Sequence, residues 1–230
     1  MIQIHNLRFT YPEGGFCLQV DELAVNKGER VAWVGPSGTG KTTLLNLVAG
    51  IVLPAVGKVH SCGKNLTDLG DAARRDFRIA NLGLVFQDFA LLDYLTVLDN
   101  ILLPYRINRS LHLNEEIRGR ATELAKRVGL SNLLNRRPEE LSQGERQRVA
   151  VCRALVTSPK LILADEPTAN LDEANSNLVM EALEHHSEQH GATLVVVTHD
   201  AEVKKRLQRV IDIFGLYLAA HSAGGGSDVR

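Results

Sequence analysis

Val31-Ala32-Trp33-Val34-Gly35-Pro36-Ser37-Gly38-Thr39-Gly40-Lys41-Thr42-Thr43 decides the fold. Val31 to Val34 is an unbroken apolar run, as in a strand covered on both faces. Lys41 to Ala49 reads as a helix, and Gly50 stands where a C-terminal cap belongs. Between them lies G-x-x-x-x-G-K-[ST]. Its glycines let backbone N–H groups wrap around phosphate oxygens, which a Cβ would obstruct. The helix N-terminus adds ~0.3–1 kcal/mol per favourable charge contact. Lys41 is placed to reach the β- and γ-phosphates of a nucleotide, and Thr42 to offer its hydroxyl to Mg²⁺.

Outward from this segment, apolar runs of strand length alternate with helix-period stretches, the pattern of an α/β parallel sheet. Leu84-Val85-Phe86, Leu161-Ile162-Leu163-Ala164 and Leu194-Val195-Val196-Val197 are the further strands. Ligands of parallel sheets sit at strand C-termini. There the sequence places Gln87, then Asp165-Glu166, then His199. A neutral amide suits Mg²⁺ or a water, Asp165 suits Mg²⁺, and Glu166 suits polarising an attacking water. Taken singly, each has an ordinary reading: a solvated turn for Asp-Glu, a surface filler for the histidine. The phosphate loop and the order of the set favour the chemical one.

The first thirty residues differ. Short alternating pieces around Pro12, Gly14 and Gly15 predict an antiparallel sheet beside the parallel one. Residues 88–158 read as mainly helical. Thr96-Val97-Leu98-Asp99 resembles a capping box, with Pro104 closing that helix. Ile117, Ala121, Leu124, Ala125 and Val128 form one apolar stripe ended by Gly129. Pro138 marks a break. Ser142 and Glu145 form a capping box at the next helix start, and a capped N-terminus with a glycine amide is also an anion site. The small, polar stretch 221–230 reads as a disordered tail.

Composition limits the alternatives. The 230 residues are 44% hydrophobic and 23% charged, which excludes a rod, a collagen and a disordered chain. Basic and acidic residues number 26 and 27, so no global basic field is available for nucleic acid. Cys17, Cys62 and Cys152 make no CxxC pair, which fits a reducing compartment. No apolar run approaches the ~18 residues of a membrane span, and Met1 to Asn6 lacks the features of a signal peptide. The expectation is a cytosolic chain whose membrane role comes through a partner.

The phosphate loop, Gln87, Leu141-Ser142-Gln143-Gly144-Glu145, Leu163-Ala164-Asp165-Glu166 and His199, in this order, resemble the ATP-binding-cassette (ABC) ATPases. The resemblance covers about residues 1–212. It is strongest to the family's lipoprotein-releasing (LolD-like) and macrolide-exporter (MacB-like) group. It implies a P-loop NTPase (RecA-like) core, mostly parallel, with an antiparallel β subdomain and an inserted helical subdomain. One nucleotide-binding domain would span 1–220, with core 1–87 and 159–215 and helical subdomain 88–158.

The resemblance also implies a site. ATP would be held by Tyr11 (as the aromatic stacked on adenine), Gly35, Pro36, Ser37, Gly38, Thr39, Gly40, Lys41, Thr42 and Thr43. A second copy would supply Ser142, Gln143, Gly144, Glu145 and Asp172. Thr42, Gln87 and Asp165 would hold Mg²⁺, and Glu166, His199 and Gln87 would be catalytic. The implied partners are an integral-membrane permease and an ATP-dependent homodimer, with no nucleic acid. The implied location is peripheral, on the cytoplasmic side of the inner membrane. Two positions depart from the family: Gln143 stands where the signature has glycine, and no Asp-Gly turn follows Asp212.

The competing reading is a soluble ABC ATPase acting on nucleic acid or ribosomes. The short interval from Lys41 to Asp165, free of sustained heptads, and the single cassette weigh against it. A GTPase is disfavoured because no Asn-Lys-x-Asp follows the loop.

Overall fold

The computed structural model describes residues 1–12, 16–108 and 110–215. The expected Gly14–Gly15 turn and the 221–230 tail lie outside the described residues. The chain runs β1 (Ile2–Thr10), β2 (Cys17–Val25), β3 (Arg30–Val34), α1 (Lys41–Val48), β4 (Val56–Ser61) and β5 (Lys64–Asn65). It continues through α2 (Asp71–Asn81), β6 (Leu82–Val85), α3 (Val97–Ile101), α4 (Leu103–Ile107), α5 (Glu115–Arg127) and α6 (Gln143–Leu155). The last elements are β7 (Leu161–Asp165), α7 (Glu173–His190), β8 (Thr193–Val197), α8 (Ala201–Lys205) and β9 (Arg209–Asp212).

Five strands form a parallel sheet in the order β6-β7-β8-β3-β9. All five residues of β7 and of β8 are buried, which is why both read as unbroken apolar runs. The antiparallel sheet has the order β2-β1-β4-β5. β1 keeps strict alternation except at Asn6, whose φ of 49° sits where the register with β4 shifts. The sheet therefore takes strands from residues 56–65 as well as from the first thirty. Those later strands are short and polar, and periodicity does not mark them.

Ile2, Leu18, Val31, Trp33, Leu44 and Val59 share one core between the two sheets and α1. A second core packs Val151, Leu155, Val179 and Leu183 of α6 and α7 on the opposite face of the parallel sheet. A third gathers the helical part, including Ile117, Ala121, Ala125 and Val128 of the stripe read from sequence. Ile213 is fully buried, so the apolar core continues past Asp212.

Pro104 does not close a helix. α3 already ends at Ile101, and Pro104 sits in the first turn of α4, where its missing N–H costs nothing. Thr96 caps α3 by accepting from the Asp99 amide at 3.1 Å. Buried Asn100 then ties down the preceding loop: its amide donates to the carbonyls of Leu92, Leu95 and Thr96, and its oxygen accepts from the Leu92 amide.

Candidate functional site

β3 delivers the chain into the 35–40 loop, and α1 leaves it. Gly40 has φ 88°, and a Cβ built there would lie 2.5 Å from Phe16 Cζ. The left-handed backbone calls for glycine, and any larger residue would also have to push the Phe16 ring aside. As N-cap it supplies no side chain, so the first-turn amides of α1 keep their field for a ligand. Among the described residues, the N–H groups of Ser37, Gly38, Thr39 and Gly40 find no acceptor. Thr39 Oγ1 donates to the Pro36 carbonyl at 2.9 Å. The Lys41 ammonium donates to the carbonyls of Gly35 and Pro36, each at 2.8 Å, and so closes the loop on itself. A ring of unspent N–H donors with a cation at its rim is an anion cradle.

The strand order brings the other candidates to the same edge. Gln87 follows β6, Asp165 ends β7, Glu166 follows it, and His199 follows β8. Thr42 Oγ1 donates to Asp165 Oδ2 at 2.6 Å, across the width of β8. Burial pushes the Asp165 carboxyl up, and the Thr42 hydroxyl pulls the other way. Glu166 takes a left-handed backbone, φ 46°, while its amide donates to the Val197 carbonyl at 2.9 Å. That turn aims its carboxylate at His199, with Nδ1 and Oε1 2.9 Å apart. The Glu166 side chain is 15% exposed and that of His199 78%, so the imidazole stands on the solvent side of the carboxylate. Gln87 is exposed in the turn after β6.

Tyr11 leaves β1 and packs edge-on to Phe9, with ring centroids 4.8 Å apart. Its hydroxyl lies 3.2 Å from Thr43 Oγ1, which anchors the half-exposed ring beside α1.

Ser142 to Glu145 stand apart from this edge. No hydrogen bond joins them to residues 35–43 among the described residues. Ser142 accepts from the Glu145 amide, and Glu145 Oε2 accepts from the Ser142 amide at 2.8 Å, a reciprocal cap on α6 that lowers the Glu145 pKa. A Cβ on Gly144 would lie 2.8–3.0 Å from the Asn175 side-chain amide. Asn175 in turn accepts from Arg148 and donates to Asp172 Oδ2 at 2.7 Å. Asp172 caps α7, and its hydrogen bonds from Asn175 hold its carboxyl below the ordinary range. Gln147 donates to the Pro167 carbonyl at 2.8 Å. Arg148, Gln147 and Asn175 escape a reading of the sequence because their partners lie 20 or more residues away.

A glycine loop between strand and helix, with a Thr–Asp pair and a shielded carboxylate on neighbouring strand ends, defines a P-loop nucleoside triphosphatase. Among the described residues no helix is long and apolar enough to cross a membrane. A sequence profile described as ABC transporter matches residues 18–169. The chain is 42% identical, over 92% of its length, to the macrolide export ATP-binding/permease protein MacB of Rhodopirellula baltica, and it spans 31% of that protein. It superposes with a TM-score of 0.84 on a dimeric post-hydrolysis state of the ATP-binding cassette MJ0796 bound to ADP and Pi, at 37% identity, covering 92% of this chain and 94% of that one. A second dimeric structure of MJ0796, a bacterial ABC transporter cassette, matches at 38% identity, with the same TM-score and coverage. The chain belongs to the ABC transporter family and is an ATP-binding, ATP-hydrolysing cassette.

Proposed function

We propose that this chain drives a membrane permease of the export or lipoprotein-release type, closing as a dimer over ATP and reopening after hydrolysis. Residues 1–220 act as one cassette in this reading, with a nucleotide-bearing core (1–87 and 159–215) and a helical part (88–158). The observation that carries it is the pair of contacts on one sheet edge, Thr42–Asp165 at 2.6 Å and Glu166–His199 at 2.9 Å, beside the glycine loop.

The 35–40 amides and α1 cradle the phosphates, and Lys41 exchanges its two carbonyls for phosphate oxygens. The hydroxyl of Thr42, the carboxylate of Asp165 and the amide of Gln87 are hard oxygen donors of the kind Mg²⁺ takes. Bound by these residues, Mg²⁺ supplies charge neutralisation at the transferring phosphoryl group. Glu166 orients and polarises the attacking water, and His199 fixes its carboxylate. The left-handed backbone at Glu166 costs about 1–3 kcal/mol, strain of the kind that surrounding structure maintains at working sites. Ser142, Gln143, Gly144, Glu145 and Asp172 complete the site of a second copy. A largely apolar cavity of about 260 Å³, lined by Leu84, Phe86, Leu103, Pro104 and Ile107 next to the Gln87 turn, offers the face for a permease. The cassette would then sit peripherally on the cytoplasmic side of the inner membrane.

Light scattering tests the assembly. With ATP, Mg²⁺ and hydrolysis blocked, the chain runs as a dimer, and without nucleotide as a monomer. A dimer indifferent to nucleotide overturns the sandwich. Tyr11→Ala removes the adenine platform and weakens nucleotide binding by ~1–3 kcal/mol, the range for a base stacked on an aromatic ring. Equilibrium titration with ATP reads this directly, and unchanged affinity excludes Tyr11 as the platform.

A further inference from the structure

Arg153 lies near the C-terminal end of α6, the helix that Ser142 caps, roughly 16 Å along its axis from that cap at 1.5 Å per residue. Its guanidinium makes a fork across two successive carbonyls. One Nη donates to Phe89 at 2.5 Å and the other donates to Ala90. Phe89 and Ala90 both have left-handed backbones, φ 61° and 47°, and they close the turn that starts with Gln87. Neither is a glycine, so the turn holds backbone strain that something must maintain. Burial pushes the Arg153 pKa down to about 10, with Asp88 pulling it up. Arg153 forms no salt bridge among the described residues. Arg153 is half-buried at the edge of the cavity beside the Gln87 turn, and its fork ties the end of α6 to the two strained carbonyls of that turn.

We propose that Arg153 is a positioning residue that locks the Gln87 turn to α6, so that Gln87 reaches the nucleotide only when α6 is correctly placed. This rests on the role proposed above for Gln87. One rigid helix then carries both ends of a linkage. Its start meets the nucleotide of the second copy, and its last turns set the backbone that presents Gln87 to its own. Placing the amide wrongly by about 1 Å is enough to lose 10²-fold in rate, while the phosphate cradle and the Mg²⁺-independent ATP affinity stay intact.

A double-mutant cycle on the full chain tests this, with single-turnover ATP hydrolysis, ATP affinity and melting temperature read together. Arg153→Gln lowers hydrolysis ~10–100-fold with ATP affinity in the absence of Mg²⁺ unchanged. In a Gln87→Ala background the same substitution lowers it no further, because the group that Arg153 positions is gone. The loss in melting temperature persists in both backgrounds. Losses in rate that multiply would overturn the proposal and leave Arg153 a stability residue. If Gln87→Ala alone leaves hydrolysis unchanged, the Gln87 role itself falls, and the linkage with it. Should Arg153→Gln fail to fold, Arg153→Lys carries the cycle. It keeps the charge but lacks the planar fork, and it gives a smaller rate loss with the same non-additivity.

Discussion

Glu166→Gln is expected to lower single-turnover ATP hydrolysis by ~10²–10⁴-fold, the usual contribution of a positioned acid–base group. The amide keeps the size of the carboxylate and its contact to His199 Nδ1, now 2.9 Å from Oε1. The loop amides, Lys41, Thr42 and Asp165 are untouched, so ATP affinity changes little. That combination is a loss of transition-state stabilisation without a loss of ground-state binding. His199→Ala gives the same pattern more weakly, since the imidazole acts through the carboxylate it holds. Asp165→Asn behaves differently: it removes the anion opposite Thr42 Oγ1 and weakens Mg²⁺-dependent binding itself. ATP titrations beside single-turnover rates for the three variants separate these cases. Near-normal hydrolysis by Glu166→Gln would move the base elsewhere, and the substrate phosphate would be the next candidate.

Lys41→Ala is expected to weaken ATP binding by roughly a hundredfold or more. Each charge-assisted hydrogen bond contributes about 1.5–3 kcal/mol, and the ammonium is placed to make more than one. The cost of the exchange is small in the native protein, because Lys41 gives up two neutral carbonyls, Gly35 and Pro36, for charged oxygens. Removing the side chain also frees those carbonyls, so the melting temperature without nucleotide is measured alongside affinity. A variant that binds ATP as tightly as the native chain would refute the assignment of the loop.

The site lay open in the sequence wherever local backbone chemistry dictates residue type. The 35–42 loop is legible because its glycines answer to left-handed backbone, as Gly38 and Gly40 show with φ of 78° and 88°. β7 and β8 are legible because strands buried on both faces must be apolar throughout. The residues that follow them are then candidates by position alone. The Ser142–Glu145 cap is equally local, since both of its hydrogen bonds close within one turn.

Elsewhere short range misleads. Pro104 is a valid stop signal and an equally valid first-turn residue, and only the end of α3 at Ile101 decides between them. β4 and β5 are polar and brief, and they exist because β1 offers them an edge. By itself the sequence determined an α/β chain with a phosphate-binding loop and an ordered set of polar residues at strand ends. Tertiary structure alone decided which of them meet. Placing β8 between β3 and β7 sets the span over which Thr42 reaches Asp165. The turn at Glu166 aims its carboxylate at His199, and the packing of α6 against the sheet brings Arg153 to Phe89 and Ala90. Those contacts join residues 33 to 123 positions apart. Periodicity reports only which face of an element is buried, and carries no information about which distant side chain lies across from it.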